Sequence, residues 1–191
     1  MIKILKQKGS LIARCIVFQI AMSVLGFFVI SAVANSGNTL ILLAGIFTIL
    51  FYFALVGATV NEDGLKDELT NKRSGLKPDI FLGIKYMAIS YIPTFSLTLL
   101  LCLFRTFGIF AGAADIIVIF VRAFLTGMYF GIDMNLFIQG YSEEGYAIYS
   151  AFSSNGYSLL IYQLFSVIIC GLFYYLGLRG INLNKTKEKA E

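Results

Sequence analysis

Between Arg14 and Glu62 the chain carries no charged residue, and that gap is interrupted only by the polar turn Asn35-Ser36-Gly37-Asn38. A soluble protein does not sustain so long an uncharged run, because a helix at a water-facing surface needs a polar face. A helix crossing hydrocarbon needs roughly 20 apolar residues to cover about 30 Å, and the gap supplies two such helices back to back. Composition points the same way: 58% of the residues are hydrophobic and 14% charged, against about 45–50% and about 25% in soluble domains. The expected fold class is all-α, a polytopic transmembrane helix bundle in which residues 1–191 form one domain. The longest charged stretch, about residues 61–79, is too short for a separate domain outside the membrane.

Five apolar segments follow from the hydropathy pattern, at about residues 15–34, 39–60, 80–104, 107–132 and 157–178. The first ends in Ala32-Val33-Ala34, which has the form of a small-residue cleavage site, but its apolar part exceeds the 7–15 residues of a signal-peptide core. It is expected to remain as an uncleaved span. Lysine and arginine gather on the cytoplasmic side of membrane proteins. Lys3, Lys6, Lys8 and Arg14 precede the first span, and Lys66, Lys72, Arg73 and Lys77 lie in the connection 61–79. The N-terminus and loop 61–79 are therefore expected in the cytoplasm of a bacterial cell, with the protein a multi-pass component of its membrane. The stretch 131–156 has no basic residue and reads as an external loop with interfacial tyrosines.

Sidedness then conflicts with the count. Arg179, Lys185, Lys187 and Lys189 place the tail inside, which requires an even number of crossings, yet only five apolar segments are present. The number of crossings lies between four and six. Segment four could re-enter without crossing, residues 133–155 could add a polar sixth helix, or the tail could lie outside. An even count is the expectation.

Segment four is also where charge enters the apolar sequence, at Asp115 and Arg122. Ionisable groups inside a membrane cost about 2.5–3.5 kcal/mol on insertion scales, which makes this pair the candidate intramembrane polar site. Their seven-residue separation amounts to about 10.5 Å of helix rise, too far for direct contact, so each is expected to find a partner on another element. Gly108, Gly112, Ala123, Gly127 and Gly131 recur at spacings that let helices approach closely, and they are the candidate packing stripe. The competing reading gives Arg122 backbone carbonyls to satisfy, puts Asp115 at the outer interface and makes the stripe ordinary packing. Lys85 is expected to snorkel to the headgroups, Pro93 to bend segment three, and Tyr86, Tyr91, Tyr129, Tyr141, Tyr146, Tyr149 and Tyr157 to line the interfaces.

Chemistry is constrained chiefly by what is missing. With no histidine there is no Ser-His or Cys-His nucleophile, H-E-x-x-H metalloprotease or His-ligated haem. Glu143-Glu144 is similar to the paired glutamates of intramembrane CAAX-type proteases, but the arginine and histidines of those enzymes are absent. Cys15, Cys102 and Cys170 lie far apart inside apolar segments and read as small hydrophobes. No catalytic residue, cofactor or metal ligand is assigned, and the chain is not expected to be an enzyme. The net charge of +4 reads as sidedness, so no nucleic-acid partner is expected.

Two close spans, a mixed-charge connection through Gly75-Leu76-Lys77 and the closing run Tyr174-Tyr175-Leu176-Gly177-Leu178-Arg179-Gly180 resemble the uncharacterised small polytopic membrane proteins of anaerobic, clostridial-type Gram-positive bacteria. That resemblance implies no activity. Size and low charge also resemble the substrate-binding subunits of energy-coupling-factor vitamin transporters, which have six spans. The leading expectation is a non-enzymatic membrane subunit of a transport or assembly system, with the lipid bilayer and a membrane or ATPase subunit as partners. An immunity-type protein that binds a peptide or toxin through residues 133–156 is the second, and a lipid-acting enzyme using Asp115 or Asp133 the last.

Overall fold

The computed structural model describes residues 2–141 and 147–183, an all-α bundle with one small hairpin. Its helices are α1 (Ile2–Val33), α2 (Asn38–Ser74), α3 (Leu82–Phe107), α4 (Ala111–Phe120), α5 (Phe130–Phe137), α6 (Ala151–Ser154) and α7 (Tyr157–Leu178). A π turn, Val121–Leu125, and a 3-10 turn, Gly127–Tyr129, connect α4 to α5, and strands β1 (Ile138–Tyr141) and β2 (Ala147–Tyr149) pair antiparallel before α6. The side chains of Tyr141 and Tyr149, and residues Glu143, Glu144, Tyr146, Lys185, Lys187 and Lys189, lie outside the described set.

Four helices are long and apolar enough to cross a membrane: Lys8–Val33, Asn38–Ser74, Leu82–Phe107 and Tyr157–Leu178. Polarity is inverted relative to a water-soluble bundle. Val17, Phe28, Leu43, Phe47, Leu50, Ile161 and Leu172 point outward and are exposed, whereas Gln19, Thr48, Thr94, Thr98, Gln163 and Ser166 are buried. In hydrocarbon the outward face gains nothing from being polar, and each inward polar group must find its partner inside the protein. Gln19 Nε2 donates to Thr94 Oγ1 at 2.8 Å, Gln163 Nε2 to Thr98 Oγ1 at 2.7 Å, and the Tyr52 and Tyr91 hydroxyls meet at 2.5 Å. Tyr129 shares a hydrogen bond with Ser166.

This interior corrects the expected tyrosine belt. Tyr86, Tyr91 and Tyr129 are buried among the helices; the hydroxyls of Tyr91 and Tyr129 are served by those of Tyr52 and Ser166 rather than by headgroups, and Tyr86 packs edge-on against the Tyr174 ring. Tyr157 does lie at a helix end, with its hydroxyl 2.6 Å from that of Thr106.

The expected loop 61–79 is also corrected, since α2 runs unbroken to Ser74. Glu62–Lys66 and Glu68–Lys72 form i,i+4 ion pairs in the favoured order, glutamate first. Lys72 and Arg73 complement the negative end of the helix dipole. Gly75, at φ 67°, takes the left-handed conformation that ends α2. The Asp79 carboxylate then accepts the Phe81 N–H at 3.1 Å and receives Lys85 Nζ at 2.6 Å. The Lys85 ammonium holds the Asp79 carboxyl below the usual carboxylate range. Lys85 thus turns back to the helix start, with half of its side chain exposed.

One end of the bundle is tied by side chains from three helices. Lys8 Nζ of α1 lies 2.5 Å from Asp63 Oδ2 and 2.7 Å from Asp67 Oδ2 of α2, and the Tyr174 hydroxyl of α7 donates to Asp67 at 2.6 Å. Asn61 is fully buried. Its Nδ2 donates to the carbonyls of Phe173 (3.1 Å) and Ile181 (3.0 Å), and its Oδ1 accepts the Leu183 N–H at 3.1 Å, so one amide closes the C-terminal end of α7.

Candidate functional site

At the opposite end, α3 finishes and α7 begins side by side, joined by Thr106 and Tyr157. Everything between them therefore leaves this end and returns to it. Gly108, at φ 64°, ends α3 in the left-handed conformation, and α4 turns inward. The helix breaks at Thr126, and the two halves, Gly112–Leu125 and Gly127–Phe137, are bent by 82°. At the bend the Thr126 N–H and Oγ1 both donate to the Val121 carbonyl, at 2.9 and 3.0 Å, which sets the π turn that precedes the break.

Contacts fix how deep the bend lies. An added Cβ at Gly127 would overlap the Ser23 backbone of α1, and Thr48 Oγ1 of α2 donates to the Met128 carbonyl at 2.9 Å. Ser23 and Thr48 stand near the middle of their apolar stretches. Past the bend Gly131 meets Gly45 and the Ile41 carbonyl, and Asn135 Nδ2 donates to the Asn38 carbonyl at 3.1 Å, back at the first turn of α2. Segment four is thus a bent pair of arms that reaches the depth of Ser23 and Thr48 and returns to the first turn of α2. The stretch expected as an external loop supplies the ascending arm, the hairpin and α6.

The polar cluster lies between these arms. Arg122 Nη2 donates to Ser153 Oγ at 2.9 Å and to the Ser153 carbonyl at 3.2 Å, and stands 3.3 Å from Asp133 Oδ2. Ser153 Oγ donates to that same Asp133 oxygen at 2.9 Å. The Asp133 side chain is only 2% exposed and that of Arg122 14%. Asp133 Oδ1 and the Tyr162 hydroxyl beside this carboxylate each make no hydrogen bond among the described residues. A descending arm, an ascending arm, the turn before α7 and α7 itself each contribute one member.

The two charged residues singled out from sequence are not brought together. Asp115 pairs with Arg105 across the α3–α4 turn, and most of its side chain is exposed. Arg122 keeps the inner position, with Asp133 as its counter-charge. Asp133 was read as a loop carboxylate because the residues after it are polar, and it lies instead on α5. The small-residue stripe also divides. Gly127 and Gly131 make close backbone contacts with α1 and α2, Ala123 is half-buried, Gly108 is a helix end, and Gly112 has nothing within 4 Å of its would-be Cβ. The break at Thr126 is the reason, since one continuous helix is needed to keep five such positions on one face.

Chemically, the cluster is an ion pair with spare capacity on its acidic member. Removing one partner of a buried pair leaves an uncompensated charge, so Arg122 and Asp133 each depend on the other. Among the described residues no three histidine, cysteine or acidic side chains converge as a metal site. No family model, curated protein or solved structure matches the chain.

Proposed function

We propose that this protein is a non-enzymatic membrane subunit of a transport or assembly system, with the re-entrant element as the part that handles its ligand. The observation that carries the reading is the Arg122–Asp133 pair, held under Ser153 and Tyr162 with one carboxylate oxygen open. Broken helices at membrane depth are tolerated where they line a cavity or are covered by protein, and transporters build their sites from such half-helices. The chain has no phosphate-binding glycine loop, so energy comes from an ATPase subunit or an ion gradient.

The membrane is a bacterial cell membrane, with the Lys8 end cytoplasmic. Lys8, Arg14, Lys66, Lys72, Arg73, Lys77, Lys85 and Arg179 belong to that end, against Arg105 and Arg122 toward the other. Four crossings and one re-entrant element bring both ends of the chain inside, which removes the conflict between charge and count. Single cysteines at positions 36 and 135, in a variant lacking Cys15, Cys102 and Cys170, are expected to react with an impermeant thiol reagent from the outside of intact cells, and one at position 76 only after lysis. Labelling of positions 36 and 135 from opposite sides would overturn the four-crossing arrangement.

The ligand reading is tested on the purified protein in nanodiscs, by thermal unfolding with methylammonium, glycine and lysine as probes and tetramethylammonium as a cation without an N–H. A primary ammonium at about ten times its Kd is expected to raise Tm by about 3–6 °C. Tetramethylammonium is expected to leave it unchanged. No response to any ammonium probe, or an equal response in the Arg122→Gln/Asp133→Asn double variant, would reduce the cluster to a structural tie.

A further inference from the structure

A second feature lies outside the re-entrant element, on the lipid-facing side of the junction between α3 and α7. A groove of about 260 Å³ opens there, walled by Ala88, Tyr91, Ile92 and Phe95 of α3 and by Gln163 and Leu164 of α7. Ile92 and Leu164 are exposed on the outward face, so the groove communicates with the bilayer. Its lining is apolar apart from the Gln163 amide, the Tyr91 hydroxyl, which is engaged by Tyr52, and the hydroxyl of the exposed Ser96.

Gln163 is 1% exposed, and its Oε1 has no hydrogen-bond partner. The orientation of that amide is dictated by its neighbour. Thr98 Oγ1 donates its proton to the Thr94 carbonyl at 2.8 Å, so it can only accept from Gln163, at 2.7 Å. The amide must present Nε2 to Thr98 and turn Oε1 away. An acceptor buried without a donor is costly where water is absent, and phospholipid tails bring no donor.

We propose that this groove binds a single-chain amphiphile dissolved in the membrane, of the long-chain alcohol class, whose hydroxyl donates to Gln163 Oε1 while its chain runs along Ile92 toward Ala88. Size selects that occupant over a partner helix. At about 30 Å³ for each group of water or methylene size, the groove holds roughly nine such groups, whereas a helix with its side chains is about 10–12 Å across. Gln163 stands six residues inside the Tyr157 end of α7, about 9 Å along the axis, so the hydroxyl is drawn below the headgroups and the chain extends deeper.

The native chain has no tryptophan, so Phe95→Trp gives a single fluorescent reporter in the groove wall. In nanodiscs, 1-dodecanol is expected to give a saturable change in emission at a membrane mole fraction at least about fivefold lower than dodecyl methyl ether, which has no donor. Gln163→Leu is expected to erase the difference between the two probes. Ala88→Phe, on the exposed rim and away from the amide, is expected to abolish saturation by both while the folded protein is retained. Equal responses to alcohol and ether in the otherwise unaltered protein, or saturation by an apolar transmembrane peptide in place of the alcohol, would overturn the assignment.

Discussion

At the Lys8 end of the bundle Lys8, Asp63, Asp67 and Tyr174 are joined across α1, α2 and α7 and Asn61 separately ties the backbone at the end of α7, whereas at the opposite end Asp133 keeps an oxygen open beside a broken helix. Buried side-chain atoms without a partner follow the same division. Among the described residues, those of Arg105, Asp133, Ser150, Ser158, Tyr162 and Gln163 lie toward the broken-helix end, against Tyr86 near the other and Ser23 at mid-depth. An end whose polar groups are satisfied has nothing left to offer a ligand and serves to fix the helices. An end that carries unsatisfied groups retains free energy that binding can recover.

This contrast can be broken most forcefully at the bend. Gly127→Leu drives a side chain into the Ser23 backbone, which cannot retreat, and is expected to cost about 3 kcal/mol or more. Gly112→Leu, in open space, is expected to change stability by less than about 0.5 kcal/mol. Chemical unfolding in mixed micelles compares the two, and equal losses would mean that the re-entrant arm does not dock as described.

Next in size is the charged cluster. Arg122→Gln and Asp133→Asn each strand a buried charge and are expected to cost about 3 kcal/mol singly. The double variant is expected to recover most of that loss in the same assay. Failure to recover would show that the two residues do not act as a pair.

Asn61→Ala, at the closed end, leaves two carbonyls and one N–H without their side-chain partner and is expected to cost about 2 kcal/mol without altering any response to ammonium probes. A changed response there would erase the functional distinction between the two ends. Smallest is Asp79→Asn, expected within about 0.5 kcal/mol because the Lys85 pair is exposed. The Asp79 carboxyl is held below its ordinary range. Its small contribution is therefore present above that range and fades as the pH falls through it, and unfolding titrations of both proteins check the sign.

Long helices were legible because hydrocarbon thickness sets the length of an apolar run, and residues 39–60, 80–104 and 157–178 each correspond to a helix of the bundle. The extension of α2 to Ser74 left a readable trace in Glu62–Lys66 and Glu68–Lys72, but charge density made it look like a loop. The site was half legible. Arg122 stands out in an apolar segment, whereas its partner Asp133 lies beyond a break created by tertiary contacts with Ser23 and Thr48, which no local pattern encodes. Buried tyrosines escaped for a related reason. Tyr86, Tyr91 and Tyr129 look interfacial until Gln19, Thr94, Thr98, Gln163 and Ser166 are seen as polar groups inside the bundle that must be served from within.

Where the ascending arm meets α2, Gly45 and Gly131 stand back to back and no side chain projects across the contact. Interlocked ridges oppose sliding because each must climb over the next. A bare junction lacks that obstacle, and the arm is instead latched at two points, by Thr48 on the Met128 carbonyl and by Asn135 on the Asn38 carbonyl. Displacing it along α2 requires the release of those two latches, and the bulky obstacles lie away from this seam, where Tyr129 stacks on Tyr162 and Phe130 on Phe27.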